Sequence, residues 1–125
     1  REKGAAEADP PCVHTLPLGR LRFTYDTIKP RFRDGKQLDS LIELLQKGEV
    51  QPLTAKFLVL DVVHINGNYF SLSNRRLHCL KEYQKRNPSV SVMVRAKVTR
   101  VVHPVIKKFF SSLTRKNGGW SVEIR

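Results

Sequence analysis

SLSNRRLHCLKEYQKR, residues 71–86, passes from a strand end through two serines and an asparagine into an arginine pair at the opening of a helix. Ser73 suits the N-cap position, where a hydroxyl can accept from amides that have no partner inside the helix. At about 100° per residue, Leu77, Cys79, Leu80 and Tyr83 share one broad arc, and Arg76 falls inside that arc. Such a turn suits an anion: free backbone N–H groups and the positive end of the helix dipole favour phosphate, and guanidinium groups add charge and paired hydrogen bonds. An arginine on the buried side needs a partner, either a phosphate or a carboxylate or carbonyl group in a structural network. Arg75 points nearer solvent. His78 reads as an exposed helix histidine and Cys79 as a small buried hydrophobe. Pro88 closes the helix.

Working outward, FLVLDVVHI (57–65) is nearly continuous in apolar residues, as in a central strand covered on both faces. Asn66, Gly67 and Asn68 make a turn, and Tyr69 to Leu72 returns as the second strand of a hairpin. Farther upstream, Leu21, Phe23 and Tyr25 alternate with Arg20, Arg22 and Thr24, which predicts a strand with one buried and one basic face. Asp34 followed by Gln37 resembles a capping box. Leu38, Leu41, Ile42 and Leu45 then recur at helical spacing until Gly48 supplies a stop. Downstream, the apolar series from Val90 to Val98 alternates with a face carrying Arg95 and Lys97. Pro104 opens a last expected helix, and WSVEI (120–124) alternates as a final strand. The class is α+β, a small mixed sheet packed with two or three helices.

The chain has 125 residues, enough for one domain, with 23 Lys+Arg against 11 Asp+Glu and a formal charge of +12. Residues 1–15 are Ala, Glu and Pro rich and are expected to form a flexible tail, with a single domain over 16–125. The charge is blocked. Arg20 to Lys36 holds six basic and two acidic residues, whereas Gln37 to Val50 has one basic and three acidic. Residues 69–86 hold five basic and one acidic, and residues 87–108 add five basic and no acidic. This imbalance predicts a polyanionic partner and says nothing of fold. No apolar run approaches the roughly 20 residues of a spanning helix, so no membrane is expected, and the reading is of a soluble intracellular chain. Cys12 and Cys79 are too few for a disulfide framework. Lys and Arg beside the C-terminal strand argue against edge pairing with a second chain, which favours a monomer.

The string from Ser73 to Cys79 resembles the turn-to-helix motif of the ParB/sulfiredoxin superfamily, written G-E-R-R-x-R-A in ParB-like domains and G-G-C-H-R in sulfiredoxins. The order of elements from Leu16 to about Val98 also matches, including the helix DSLIELL, where the family carries a similar S-L-x-x-x-I pattern. The resemblance implies a phosphate-binding site for a nucleotide or nucleic acid. Arg75 and Arg76 inherit the contact to phosphate, Ser73 and Asn74 line the turn, and Ser40 matches a helix serine that touches phosphate in sulfiredoxins. Of cofactors, it implies ATP or CTP. The sulfiredoxin cysteine aligns with Asn74, so sulfinic acid reduction is not expected. The lysine three residues before the helix serine is replaced by Gln37, beside Lys36. The chain is also similar to eukaryotic ParB-like proteins of no assigned function that carry x-N-R-R-L and a C-terminal N-x-G-x-S-x-x-[IV]-R string, here Asn117 to Arg125.

Metal-assisted cleavage would need clustered carboxylates or histidines, and the sequence has no D-x-D, H-x-H or E-x-K; no metal site is expected. Acyl transfer lacks G-x-S-x-G, and no Walker-type glycine loop is present. The favoured reading is a nucleic-acid-binding domain, for RNA or DNA, acting mainly on the phosphate backbone. Its candidate basic face comprises Arg20, Arg22, Lys29, Arg31, Arg33, Lys81, Lys85, Arg95 and Lys97, with Phe32 as a ring for stacking on an unpaired base or, alternatively, packed beneath the loop. The competing readings are a nucleotide-dependent enzyme or switch at the same turn, and a ParB-like nuclease.

Overall fold

The computed structural model describes residues 12–25, 27–65, 67–100, 119–120 and 122–124. Its strands are β1 (Cys12–Pro17), β2 (Leu21–Phe23), β3 (Thr27–Ile28), β4 (Leu60–Ile65), β5 (Asn68–Ser71), β6 (Met93–Arg100) and β7 (Glu123–Ile124). The helices are α1 (Leu38–Gln46) and α2 (Asn74–Arg86), with single 3-10 turns at Leu18–Arg20 and Lys56–Leu58. Five strands make one mixed sheet in the order β1-β6-β4-β5-β2. β1 runs antiparallel to β6 and β5 antiparallel to β4, while β4 is parallel to β6 and β2 parallel to β5. The α+β class is as the patterning requires.

β4 lies at the centre because its sequence is apolar on both faces. Leu60 and Val62 enter the main core, and Val63 and Ile65 form a second cluster with Phe70 on the other face. The main core joins Leu21 and Phe23 of β2 and Val94 and Ala96 of β6 to Leu38, Leu41, Ile42 and Leu45 of α1 and Leu77, Cys79 and Leu80 of α2. Both helices therefore cover one sheet face. Period-two alternation sends Arg95 and Lys97 to the opposite face, where both are exposed.

The second helix begins at Asn74 after Ser73 and ends before Asn87, as its sequence predicts. The first stops through paired bonds from the Gly48 amide to the Leu45 carbonyl and from the Glu49 amide to the Leu44 carbonyl, the Schellman arrangement. Its start differs from expectation. Gly35 takes φ +88°, a conformation incompatible with a first helical turn after Asp34, so the helix opens four residues later. Asp34 instead accepts from the Lys36 amide at 3.0 Å, and Arg31 bridges Gln37 across a small loop.

Three further expectations are corrected. β1 starts at Cys12, so the sheet takes in residues assigned to the tail; register with β6 recruits them although, of Val13 to Pro17, only Leu16 is buried. Tyr25 is 55% exposed because β2 ends at Phe23, and it does not continue the buried face. The downstream strand begins at Met93 and not Val90, which sits exposed in a turn. Residues 1–11 and the helix expected after Pro104 lie outside the described residues.

Candidate functional site

The C-terminal ends of β2 and β5 point the same way, and the chain leaving each of them builds a wall of one open cleft of about 1060 Å3. After β5 come Leu72, Ser73, Asn74, Arg75 and Arg76; after β2 come Tyr25, Thr27, Ile28, Lys29, Phe32, Arg33 and Lys36. The first turns of α1 add Gln37, Ser40, Leu41 and Leu44, and Phe57 and two carboxylates, Asp34 beside Arg33 and Asp61, complete the lining. Ser40 and the Ser73 to Arg76 turn, separated by more than thirty positions in sequence, thus face one space.

The members of the turn differ in what they can do there. Asn74 is 8% exposed and its amide is committed to Thr24: Nδ2 donates to Thr24 Oγ1 at 2.7 Å and Oδ1 accepts from the Thr24 amide at 3.0 Å. Thr24 Oγ1 in turn donates to the Ser71 carbonyl at 3.0 Å. Asn74 is therefore a tie between the end of β2 and the start of α2. Ser73 occupies the N-cap position, but its hydroxyl makes no capping bond to α2; it accepts instead from the Asp61 amide at 3.3 Å. The opening amides of α2 are left without a side-chain cap.

The two arginines divide similarly. Arg75 Nη1 donates to the Arg31 carbonyl at 2.9 Å, pinning the loop before α1 across the cleft. Arg76 is half-buried on the cleft wall and has neither hydrogen bond nor ion pair among the described residues. Opposite stand the exposed cations Lys29, Arg33 and Lys36. Exposed apolar groups share the space: Tyr25 at 55%, Leu72 at 51% and Phe57 at 50%. A cavity of this kind offers charge and hydrogen-bond donors to an anion and ring faces to a flat apolar group.

The remaining candidates do not form one face. Arg31 turns Nη1 onto the Gly35 carbonyl at 2.9 Å, and Phe32 lines the cleft while half-buried against the core, so its ring is a packing element before it is a stacking platform. Lys81 lies over the Phe23 and Trp120 rings at 5.6 and 5.5 Å, and burial lowers its pKa. Lys85 pairs with Glu82 at 3.4 Å on the α2 surface. Arg20 stacks on Tyr69 at the other end of β2, Arg22 lies 4.2 Å from the Trp120 ring centroid, and Arg95 and Lys97 occupy the far sheet face. The blocks that look contiguous in sequence are split because alternation along β2 and β6 separates them from the cleft.

Lys36, Tyr25 and Phe57 were not singled out as site residues by sequence reasoning. The adjacency of Lys36 to the Gln37 position was the one available signal. Burial pushes the Cys79 thiol up to about 12, and Sγ lies 3.5 Å from the Leu38 carbonyl, which makes it a core contact and no nucleophile. Burial lowers the His78 pKa, opposed by Glu82 and Asp39. Among the described residues no three His, Cys, Asp or Glu side chains gather where they could hold a metal ion, and no helix is long and apolar enough to cross a membrane.

No family model matches the chain, and no curated protein does. Among solved structures it is similar to sulfiredoxin from Arabidopsis thaliana, at 16% identity and a TM-score of 0.47, over 78% of this chain and 96% of that one. It is also similar to protein Atu1540 from Agrobacterium tumefaciens, at 13% identity and a TM-score of 0.48, over 91% of this chain and 62% of that one. These are likenesses of fold, and at these scores they bring neither activity nor residue roles with them.

Proposed function

We propose that this chain binds nucleic acid through the cleft, holding a backbone phosphate between Arg76 and the uncapped start of α2, with Lys29, Arg33 and Lys36 on the opposing wall. The observation that carries the reading is Arg76: a half-buried cation facing a cleft with no hydrogen-bonding or ionic partner among the described residues. A guanidinium desolvated to that extent gains most from an anion that accepts two of its N–H groups. The exposed rings of Tyr25 and Phe57 in the same cleft support a single strand, whose unpaired bases offer faces for stacking. RNA and DNA share that chemistry.

The test is fluorescence anisotropy of labelled single-stranded RNA and DNA against salt. Affinity is expected to fall linearly on a log–log plot, by about 0.7 in slope for each phosphate neutralised. Arg76→Ala is expected to weaken binding by about 10-fold or more, the value of one charge-assisted hydrogen bond. Salt-independent binding, or none to either polymer, refutes the proposal.

A second reading, a nucleotide such as ATP or CTP in the same cleft, is favoured by the meeting of Ser40 with the Ser73 to Arg76 turn. Amide-shift mapping separates the two. Saturable shifts with ATP or CTP confined to those residues select the nucleotide, and a footprint reaching Lys29, Arg33 and Lys36 with oligonucleotide selects the polymer.

A further inference from the structure

Trp120 stands outside the cleft yet touches both elements that build its phosphate end. Its ring centroid lies 4.2 Å from Arg22 Cζ on β2 and 5.5 Å from Lys81 Nζ on α2. The residue before it is seated by backbone: the Phe23 amide donates to the Gly119 carbonyl at 2.6 Å. Only glycine fits that seat. Gly119 takes φ +88°, and a Cβ there would stand 2.5 Å from the Phe23 carbonyl oxygen. Past Trp120, β7 pairs in parallel with β3, whose Thr27 and Ile28 both line the cleft. The next residue of β2's exit, Thr24, is bonded to Asn74 at the start of α2.

The stretch carrying Gly119, Trp120 and β7 therefore grips three parts of the cleft frame: the end of β2, the body of α2 and the short strand β3. We propose that this segment is a clasp in which Trp120 is the positioning residue, holding α2 against β2 through two cations so that Arg76 meets the opposite wall at a fixed separation. A cation over an indole face is attracted by the ring quadrupole, and half-burial of Lys81 strengthens that attraction by excluding water. No carboxylate pairs with Lys81 among the described residues, so the rings of Trp120 and Phe23 are what hold its ammonium group.

The inference rests on the nucleic-acid reading for its ligand, and the experiment separates the two. The whole chain is titrated into a fluorescein-labelled single-stranded oligonucleotide, following label anisotropy in the parent and in the Trp120 variants. The expected result is an affinity lowered by about 2- to 30-fold in Trp120→Leu but restored in Trp120→Phe, which keeps an aromatic face. Parent-like affinity in Trp120→Leu overturns the clasp and leaves the nucleic-acid reading standing. Absence of binding overturns that reading alone, because the clasp is then decided in the ligand-free protein. There, Trp120→Leu and Lys81→Gln are each expected to move the amide resonances of Asn74, Arg75 and Arg76, and Trp120→Phe to leave them in place. Unmoved resonances in Lys81→Gln, the variant that keeps the indole and its packing, refute the positioning role even where Trp120→Leu fails to fold.

Discussion

Replacing Asn74 by alanine tests the tie between β2 and α2 more directly than any change in the cleft. The side chain makes two hydrogen bonds to one residue fifty positions away, at 2.7 and 3.0 Å, and both partners are buried, with Asn74 8% and Thr24 1% exposed. Each bond contributes about 1 kcal/mol net, and the buried Thr24 amide, stripped of its acceptor, costs about 1–3 kcal/mol more. Alanine recovers a few tenths through better helix propensity. The balance is a loss of about 3 kcal/mol, which for a domain of this size lowers Tm by about 8–15 °C. Urea is the suitable denaturant, because guanidinium is a salt and would screen a chain of charge +12 as it unfolds it. The urea midpoint should fall at constant m-value. In a double-mutant cycle with Thr24→Val, coupling of about 1 kcal/mol or more is expected, since both changes break the same Oγ1–Nδ2 bond. A loss below about 1 kcal/mol, or additive effects in the cycle, would refute the reasoning that Asn74 is structural.

Three other outcomes follow from the geometry. Arg95→Ala, on the far sheet face, should leave the salt slope of oligonucleotide binding unchanged, whereas Arg76→Ala should reduce it by about one phosphate contact; equal effects would mean that the cleft is not the contact surface. His78 has a folded pKa depressed below its ordinary 6.5 by burial. The unfolded chain takes up the proton first, so the stability tied to neutral His78 is complete above 6.5 and is lost as pH falls through the folded value. Urea midpoints measured between about pH 7 and pH 5 should accordingly decline less in His78→Gln than in the parent. In a Cys12→Ser background, Cys79 should resist a thiol-specific disulfide reagent at neutral pH until the chain unfolds, since its thiol is buried and pushed up to about 12; rapid labelling of the native protein would contradict its placement against Leu38.

The parts of this fold that were legible in sequence are those fixed by neighbouring residues. α2 runs from Asn74 to Arg86, within the bounds that Ser73 and Pro88 mark in the sequence although the Ser73 hydroxyl makes no capping bond, and β4 is central because both of its faces are apolar. The start of α1 was misread because a capping pattern at Asp34 says nothing of the left-handed backbone at Gly35 that defeats it. β1 was missed for a different reason: Val13 to Pro17 carry one buried apolar side chain, Leu16, and the strand's order comes from backbone pairing to a strand about eighty residues away. The cleft was half legible. Ser73 to Arg76 announce an anion site by local chemistry, but Lys29, Lys36 and Tyr25 reach it only through the loop that follows β2, and Phe57 only through a 3-10 turn. The expectation of one basic face failed because blocks of charge along a chain are divided by strand alternation, and no local pattern records on which side of a sheet they emerge.

The strand order also bears on how the chain comes into being on the ribosome. Both parallel pairs of the main sheet, β2 with β5 and β4 with β6, join strands separated by a helix, and β1 finds its one described neighbour in β6, the last strand of that sheet in chain order. Until residues up to Arg100 have emerged, β1 lacks its partner among the described strands and one flank of β4 stays open. The β4–β5 hairpin, and β2 against β5, can pair before then. The rest of the main sheet waits for β6, so assembly is dominated by distant contacts and correspondingly slow, on the order of milliseconds to seconds. A nascent chain paused before β6 would expose the apolar edge of its central strand, which makes this stretch of synthesis the interval in which the protein most needs a chaperone.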